Sequence, residues 1–259
     1  MKISLVQMKI QEKNKDANVQ HGLELLQKAV IGQDIAVMPE IWTTGYSLGR
    51  LEKEAEELDG PVVKNLQKIA KDNNCALIAG SIPLRLDGKV HNTSVVINKN
   101  GEIIYLYSKM HLFGMFKEER FFAAGDTYEP FVLDGVACGA SICYDLRFPE
   151  LYRRLALKGA KVIFVPAEWP EARGDVWRLL LQARAGENQT YICGVNCVGT
   201  FKDDTFYGHS MIVAPNGKIL VEGGSEEEIL RGEIDLGLIE NLRKKLNALD
   251  DVRPEIFAR

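Results

Sequence analysis

The chain has 259 residues, of which 46% are hydrophobic and 26% are charged, and this is the composition of an ordinary globular protein. A chain of this length buries a sizeable core and needs no disulfide or metal to hold it together. Its net charge of -4 and the lack of a long basic run disfavour a nucleic-acid or anionic-membrane partner.

Short apolar runs rich in β-branched residues alternate with amphipathic segments along the chain, and the two periodicities predict strands and helices. The predicted strands are Lys2–Val6, Asp34–Met38, Ala76–Ala79, Ser94–Ile97, Gly135–Cys143, Lys161–Val165, Tyr191–Val195, His209–Val213 and Ile229–Ile234. The predicted helices are Asn18–Val30, Pro61–Asp72, Glu150–Lys158, Asp175–Asn188 and Leu236–Leu246.

Two turn motifs add hairpins to this pattern. Asn98–Gly101 and Pro215-Asn216-Gly217 each separate two apolar runs, as tight turns between paired strands do. Helical crossovers mixed with hairpins predict an α/β layered sandwich with a buried sheet core. Since no linker, repeat or low-complexity tract interrupts the pattern, we expect one domain over residues 1–259.

The ends of the chain and its cysteines bear on compartment. The apolar run near the N-terminus is too short for a signal peptide, and no stretch approaches the roughly 18 apolar residues of a membrane span, so we expect a cytoplasmic protein. Five cysteines are an odd number, none forms a C-x-x-C motif, and disulfides are rare in that compartment. Most of them are expected to be small buried hydrophobes, and no metal site is expected.

Cys143 stands out from the other cysteines by its position. The apolar run ending Ser141-Ile142-Cys143 turns abruptly polar, and a helix is predicted to start near Pro149-Glu150. A residue at such a strand-to-helix turn lies at the strand end, where sites in α/β sheets gather and backbone N–H groups are exposed. Cys143 is therefore a candidate nucleophile, although a buried core cysteine ending a strand fits the same pattern.

Two more strand ends carry chemically useful side chains. Glu40 follows the apolar run Ile35–Met38 and Pro39, and Lys109 follows the apolar run that ends at Tyr107-Ser108. Taken singly, each also fits an ordinary surface residue. Nearby His111 raises the possibility of cysteine–histidine chemistry, but a packing or loop role is favoured.

The three strand ends are predicted to converge on one rim of the sheet, and their chemistry is complementary. Amide hydrolysis needs a nucleophile, a base that activates it and a positive donor for the tetrahedral oxyanion. Cys143 supplies the first, Glu40 the second, and Lys109, with the N–H of Tyr144, the third. The trio predicts hydrolysis of a carbon–nitrogen bond.

At this point the sequence resembles the nitrilase superfamily of carbon–nitrogen hydrolases. The resemblance extends over nearly the whole chain, and its motifs occur in the family's order. They are Lys2–Gln7, Met38-Pro39-Glu40, Tyr107–Phe113, Cys143–Glu150, Ala183–Asn188, Gly208-His209-Ser210 and Pro215-Asn216-Gly217.

The resemblance implies a fold, a site and an assembly. The fold is a four-layer α-β-β-α sandwich, and the catalytic triad falls on Glu40, Lys109 and Cys143. A second glutamate a short way past the lysine falls on Glu118, nine residues after Lys109, with Glu119 as the rival. The stretch between Lys109 and Gly125 is compact, so the resemblance does not fix the length of the acyl pocket. The resemblance implies no metal or organic cofactor. It implies a homodimer or larger homo-oligomer. Gly186 departs from the larger apolar residue of many relatives, with a small expected effect on packing.

Within the superfamily, the run from Cys143 to Pro149 resembles the omega-amidase branch, whose substrates are small carboxylate-bearing amides such as alpha-ketoglutaramate. The planar guanidinium of Arg147 suits a substrate carboxylate, and Tyr144 and Trp169 are expected to wall the pocket. A structural ion pair for Arg147 and plain core packing for Trp169 are the alternatives. Other functions compatible with the sequence are an N-carbamoyl amino acid hydrolase, an aliphatic amidase, a nitrilase, or a catalytically silent binding or scaffold protein on the same fold.

Overall fold

The computed structural model describes residues 1–257. Its strands are β1 Lys2–Gln7, β2 Ile35–Val37, β3 Ala76–Ile78, β4 Ile82–Leu86, β5 Lys89–Ile97, β6 Ile103–Ser108, β7 Phe131–Leu133, β8 Val136–Ala140, β9 Val162–Ala167, β10 Tyr191–Asn196, β11 Thr200–Phe201, β12 Asp204–Thr205, β13 Met211–Val213, β14 Ile219–Glu222 and β15 Glu228–Glu233. Its α-helices are α1 Lys15–Ala29, α2 Leu51–Glu54, α3 Pro61–Asn73, α4 Pro149–Leu157, α5 Gly174–Asn188, α6 Gly237–Lys245 and α7 Pro254–Phe257. None of these helices is long and apolar enough to cross a membrane.

Most strands form two mixed sheets with a similar plan. In the first sheet the parallel strands β1, β2 and β3 are flanked by antiparallel β15 on one side and by β5 on the other, and β5 pairs with both β4 and β6. In the second, the parallel strands β8, β9 and β10 are flanked by β7 and by the β13–β14 hairpin. Each sheet therefore has a parallel centre whose carboxyl ends meet at one edge.

Side-chain alternation along the strands places the two sheets face to face. Ile3 of β1 pairs with Gly232 of β15, and a Cβ added at Gly232 would lie 2.7 Å from Ile212 Cδ1 of the second sheet, in the same apolar cluster as Ile3 and Leu5. Val6 of β1 packs on the opposite face, among residues of α1 and α3. Helices α4 and α5 cover the outer face of the second sheet. The predicted four-layer α-β-β-α sandwich is confirmed.

Helix α3 illustrates how local sequence sets these elements. Pro61 occupies the first turn, where its missing N–H is not needed, and the buried positions Val62, Leu66 and Ile69 recur on one face. The helix ends at Asn74, which has a φ of 51° and donates its backbone N–H to the last turn. Asparagine tolerates this left-handed conformation better than most residues, so the stop is encoded locally.

The predicted elements agree with the observed ones, with boundary corrections. The strand predicted over Gly135–Cys143 ends at Ala140, because the chain leaves the sheet before the positive φ of Cys143. The strand predicted from His209 starts at Met211, since His209 also has a positive φ. The strand predicted over Ser94–Ile97 is the second half of the longer β5. Both predicted turns are confirmed, as they join β5 to β6 and β13 to β14. Strands β4, β7 and β14 were not predicted, because their short runs are half polar or lie at sheet edges.

Candidate active site

Glu40, Lys109 and Cys143 meet at the edge where the strands of both sheets end. Glu40 lies three residues beyond β2, Lys109 directly follows β6, and Cys143 lies three residues beyond β8. The first two side chains are fully buried, and Cys143 is 6% exposed. The convergence predicted from the strand ends is therefore what the fold produces.

Cys143 begins a single 3-10 turn, Cys143–Arg147, between β8 and α4. Its φ of 46° lies in the left-handed region, which a residue with a Cβ adopts only when its surroundings impose it. The imposing group is Asp145, whose Oδ2 accepts hydrogen bonds from the Ile142 N–H at 3.0 Å and from the Tyr107 hydroxyl at 2.7 Å. The sharp turn presents the thiol to the pocket instead of to the core of the sheet.

Lys109 is the centre of a buried ionic cluster. Its Nζ donates to Glu40 Oε1 and to Glu118 Oε1, each at 2.8 Å, and all three side chains are inaccessible to solvent. Glu119 points to solvent, so the structure favours Glu118 over its rival as the second glutamate. A buried lysine held by two carboxylates is fixed in place and cannot leave the site without exposing an unpaired charge.

Further hydrogen bonds hold each carboxylate. Asn92 Nδ2 donates to Glu40 Oε1 at 2.8 Å, and the Glu168 N–H donates to Glu40 Oε2 at 2.9 Å. Glu118 accepts from the Tyr46 hydroxyl at 2.9 Å and from the Phe113 N–H at 2.8 Å. Oε2 of Glu40 thus has one hydrogen bond and remains able to accept a proton.

Burial and the charges of the cluster shift the pKa values of Lys109 and Cys143. Burial lowers the pKa of Lys109, but the adjacent Glu40 and Glu118 more than offset this effect and raise that pKa well above its ordinary value. Burial, followed by the negative charge of Glu40, raises the pKa of the Cys143 thiol well above its ordinary value. At neutral pH the site therefore holds an ammonium ion and an un-ionised thiol, which needs a base to become a nucleophile.

A small pocket with about 270 Å³ of empty space opens over Cys143. Tyr144, Arg147 and Trp169 line it as predicted, together with Tyr46, Phe113, Glu168, Pro170 and Arg173. The Arg147 guanidinium lies over the Trp169 ring, 4.9 Å from its centroid. Within residues 1–257 Arg147 has no carboxylate partner, which argues against the structural ion pair.

Trp169 has a structural role as well as a place on the pocket wall. It packs against Trp177 of α5, with ring centroids 5.5 Å apart, and is 3% exposed. Asn196, at the end of β10, bonds both the N–H and the carbonyl of Trp169, at 2.7 and 3.2 Å. Core packing and pocket formation are thus combined in one side chain.

His111 does not belong to the reacting group. Its Nδ1 and its backbone N–H lie 2.8 and 2.9 Å from Asp145 Oδ1, and its ring stacks on Phe148 at 3.6 Å. The prediction of a packing role is confirmed. A wider groove of about 1170 Å³, open to solvent, lies beyond Tyr46 but contains none of the predicted catalytic side chains.

Sequence reasoning did not select four residues that shape the site, namely Tyr46, Asn92, Asp145 and Glu168. One signal was present for Glu168, since it directly follows the apolar strand β9 as Lys109 follows β6. In the part of the chain that the structure describes, no group of three or more metal-ligating side chains is placed to hold a metal ion.

Comparison with known proteins identifies the family. The family model described as carbon-nitrogen hydrolase matches residues 2–244. The chain belongs to the carbon–nitrogen hydrolase family. The resemblance inferred from the motifs is confirmed.

Three similar proteins place the chain within this family. A 2-oxoglutaramate amidase from Bacillus subtilis is 41% identical over 98% of both chains. The structure of XC1258 from Xanthomonas campestris, a CN-hydrolase superfamily protein with an arsenic adduct in its active site, has a TM-score of 0.91 at 29% identity and covers 98% of this chain and 97% of its own. A mutant amidase from Nesterenkonia sp. AN1 has a TM-score of 0.87 at 25% identity, with 99% and 95% coverage, and carries the acetamide moiety of fluoroacetamide covalently at its active-site cysteine.

Proposed function

We propose that this protein is an omega-amidase that hydrolyses the terminal amide of a small carboxylate-bearing substrate, such as alpha-ketoglutaramate (2-oxoglutaramate), and releases ammonia. The observation that carries the proposal is one pocket lined by both Cys143 and Arg147, at the edge of the sheets where the buried Glu40–Lys109–Glu118 cluster lies. The B. subtilis relative named 2-oxoglutaramate amidase supports the substrate class.

The first half of the reaction forms a thioester. Glu40 Oε2 takes the Cys143 proton as Sγ attacks the amide carbonyl carbon. The carbonyl oxygen becomes an oxyanion, which the Lys109 ammonium and the Tyr144 N–H stabilise. Glu40 then passes the proton to the nitrogen, the C–N bond breaks, and ammonia leaves an acyl group bound to Cys143.

The second half regenerates the thiol. A water molecule attacks the thioester carbonyl while Glu40 takes one of its protons, and Glu118 keeps Lys109 in position. The C–S bond breaks, the proton returns to sulfur, and the acid product leaves. Overall, one amide and one water yield one carboxylic acid and one ammonia.

Arg147 supplies the proposed preference for acidic substrates. Its guanidinium lies over the Trp169 ring at the pocket wall and has no carboxylate partner within residues 1–257, so its donors remain available to a substrate carboxylate.

Ammonia release from four substrates tests the function: alpha-ketoglutaramate, glutamine, N-carbamoyl-beta-alanine and a simple nitrile. We expect strong turnover of the keto-amide, and no turnover by Cys143→Ala with an unchanged melting temperature. Preferential turnover of the carbamoyl compound would favour an N-carbamoyl amino acid hydrolase, and preferential turnover of the nitrile would favour a nitrilase. Silence on every amide and nitrile would favour a binding or scaffold protein, and residual activity above a few per cent in Cys143→Ala would reject the nucleophile.

We further propose a single carbon–nitrogen hydrolase domain over residues 1–259, located in the cytoplasm, without a nucleic-acid or membrane partner, that pairs through α4 and α5. The support for pairing is apolar surface on these helices, where Leu157 and Leu179 are 46% and 65% exposed. Sedimentation velocity tests the assembly: a homodimer or larger homo-oligomer is expected, and a monomer at micromolar concentration contradicts it.

A further inference from the structure

Glu168 is a buried carboxylic acid in the pocket that the mechanism above does not use. It directly follows β9 and is 1% exposed. Its main chain is tied to the reacting groups, since its N–H donates to Glu40 Oε2 at 2.9 Å and its carbonyl oxygen lies 3.9 Å from Cys143 Sγ. The main chain of Glu168 is therefore held beside the reacting groups.

Both carboxyl oxygens of Glu168 are buried and have no hydrogen-bond partner in the described chain. Such a group is rare in native proteins, because removing it from water without a partner is unfavourable. No basic side chain within residues 1–257 forms an ion pair with it. The unused hydrogen-bonding capacity points to a ligand.

Glu168 lines the same pocket as Cys143, and the strongest charges that act on its carboxyl are those of Glu40, Lys109 and Glu118. A Cβ at Gly45 would lie 3.9 Å from Glu168 Oε1, and Gly45 adjoins Tyr46, which bonds Glu118. Burial, followed by the negative charge of Glu40, raises the pKa of Glu168 well above its ordinary value and so favours its neutral form. A neutral acid keeps a carbonyl oxygen that accepts hydrogen bonds.

A primary amide brings two N–H donors into this water-poor site, and each needs an acceptor. Other carboxylate oxygens there are already engaged: Glu40 Oε1 and Glu118 Oε1 each accept two hydrogen bonds, and Glu118 Oε2 accepts one from the loop. Glu40 Oε2 has room for one donor. Asn92 Oδ1 is also unpaired, but Asn92 does not line the pocket.

We propose that Glu168 is a specificity-determining residue whose carboxyl group accepts a hydrogen bond from the amide nitrogen of the substrate. Glu40 Oε2 receives one N–H, and Glu168 receives the other. The site thereby selects a primary amide over an ester of the same acid, which has no N–H to offer. This inference rests on the proposed function for its substrate class, but it concerns the leaving group and not the carboxylate end.

The test compares an amide with the matching methyl ester in three proteins: wild type, Glu168→Gln and Glu168→Met. Glutamine keeps an acceptor oxygen, whereas methionine keeps the length and apolar volume of the side chain but no such oxygen. For Glu168→Met we expect kcat/KM on the amide to fall about 100-fold and kcat/KM on the ester to fall less than tenfold. For Glu168→Gln we expect an amide-to-ester ratio within about threefold of wild type.

Equal losses of amide and ester turnover in Glu168→Met would indicate a structural role for Glu168 and overturn the inference. Full retention of amide turnover in the same variant would also overturn it. Melting temperatures are measured alongside, and Glu168→Leu replaces Glu168→Met if the latter does not fold. If neither folds, a more than tenfold fall of the amide-to-ester ratio in Glu168→Gln still overturns the inference.

The substrate pair separates this inference from the proposed function. The first pair is alpha-ketoglutaramate and its terminal methyl ester. Wild-type silence on alpha-ketoglutaramate rejects the omega-amidase proposal alone. The same three proteins are then compared on propionamide and methyl propionate, with the same expected ratios.

Discussion

Asp145 offers the most direct test of how the nucleophile turn is held. Its Oδ1 accepts from the backbone N–H of His111, and its Oδ2 accepts from the backbone N–H of Ile142 and from the Tyr107 hydroxyl. In Asp145→Asn one of the two oxygens becomes an NH₂ group. The Tyr107 hydroxyl can reverse and accept, but a backbone N–H cannot. In either amide orientation one buried N–H loses its acceptor, which costs about 1–3 kcal/mol of unfolding free energy.

The same substitution is expected to reduce turnover. One amide orientation releases the N–H of Ile142, which precedes Cys143, and the other releases the N–H of His111, two residues after Lys109. In either case a reacting group loses support, and displacement of such a group by about 1 Å costs roughly 100-fold in rate. We expect kcat to fall about 10- to 100-fold with a smaller change in KM. Urea denaturation measures the stability, and ammonia release measures kcat.

Asp134→Asn is the matched control, because it makes the same chemical change at an exposed turn. Asp134 pairs there with Lys99 at 2.7 Å, both side chains are about two-fifths exposed, and such solvent-screened pairs contribute little to stability. If Asp145→Asn were as stable and as active as this control, the turn would be held by something other than Asp145, and the reasoning would be wrong.

Three further predictions concern the pocket, α5 and alkaline stability. Arg147→Ala should lower kcat/KM on alpha-ketoglutaramate about 10- to 100-fold, from the loss of charge-assisted hydrogen bonds, but on propionamide less than about threefold; equal losses in steady-state assays would exclude Arg147 as the carboxylate anchor. Gly186→Ala should raise the unfolding free energy by about 0.5–1 kcal/mol, because the added Cβ lies in a helix and its nearest neighbour is 4.0 Å away. Gly194→Ala should lower the unfolding free energy by about 1–3 kcal/mol, because its Cβ would lie 2.6 Å from Leu181 Cδ1. Urea denaturation that gives the two variants the same change would contradict this. Burial raises the pKa of Cys138 to about 12, against about 8.5 in the unfolded chain, so its stabilising contribution is complete below pH 8.5 and is lost towards pH 12 at about 1.4 kcal/mol per pH unit. Cys138→Ala should therefore flatten the fall of unfolding free energy with pH, and an unchanged slope would refute the assignment.

The cluster of candidate catalytic residues was predictable because strand ends can be recognised in the sequence. Glu40, Lys109 and Cys143 each come immediately or within three residues after an apolar strand, and the parallel strands β2 and β8 end at the same edge of the sandwich. The family resemblance then fixed their roles as expectations. The fold class was predictable from the alternation of strand and helix periodicities along the chain. Neither the strand ends nor these periodicities depend on the conformation of the loops.

The choice between Glu118 and Glu119 lay beyond the sequence. The two residues are neighbours in a charged run, and which one turns inward depends on the short 3-10 turns over 114–116 and 118–120. Lys117 links these turns with a φ of 57°, a conformation that no local motif announces. Asp145 was hidden for a different reason, because its partners Tyr107 and His111 come from another strand and its loop, more than 30 residues away.

On the proposed mechanism, the charge balance of the pocket explains why the Cys143 thiol is deprotonated only during the reaction. Lys109 is one positive charge among three buried carboxyl groups, and burial raises the pKa of Glu118 and of Glu168 above their ordinary values. A thiolate stored beside Glu40 would add a further negative charge to a dry site, and the raised pKa of Cys143 expresses that penalty. On the proposed mechanism the thiol loses its proton only as its electrons pass to the substrate carbonyl. The new negative charge then appears on oxygen beside the Lys109 ammonium, so the cluster stabilises the transition state more than any charged resting form.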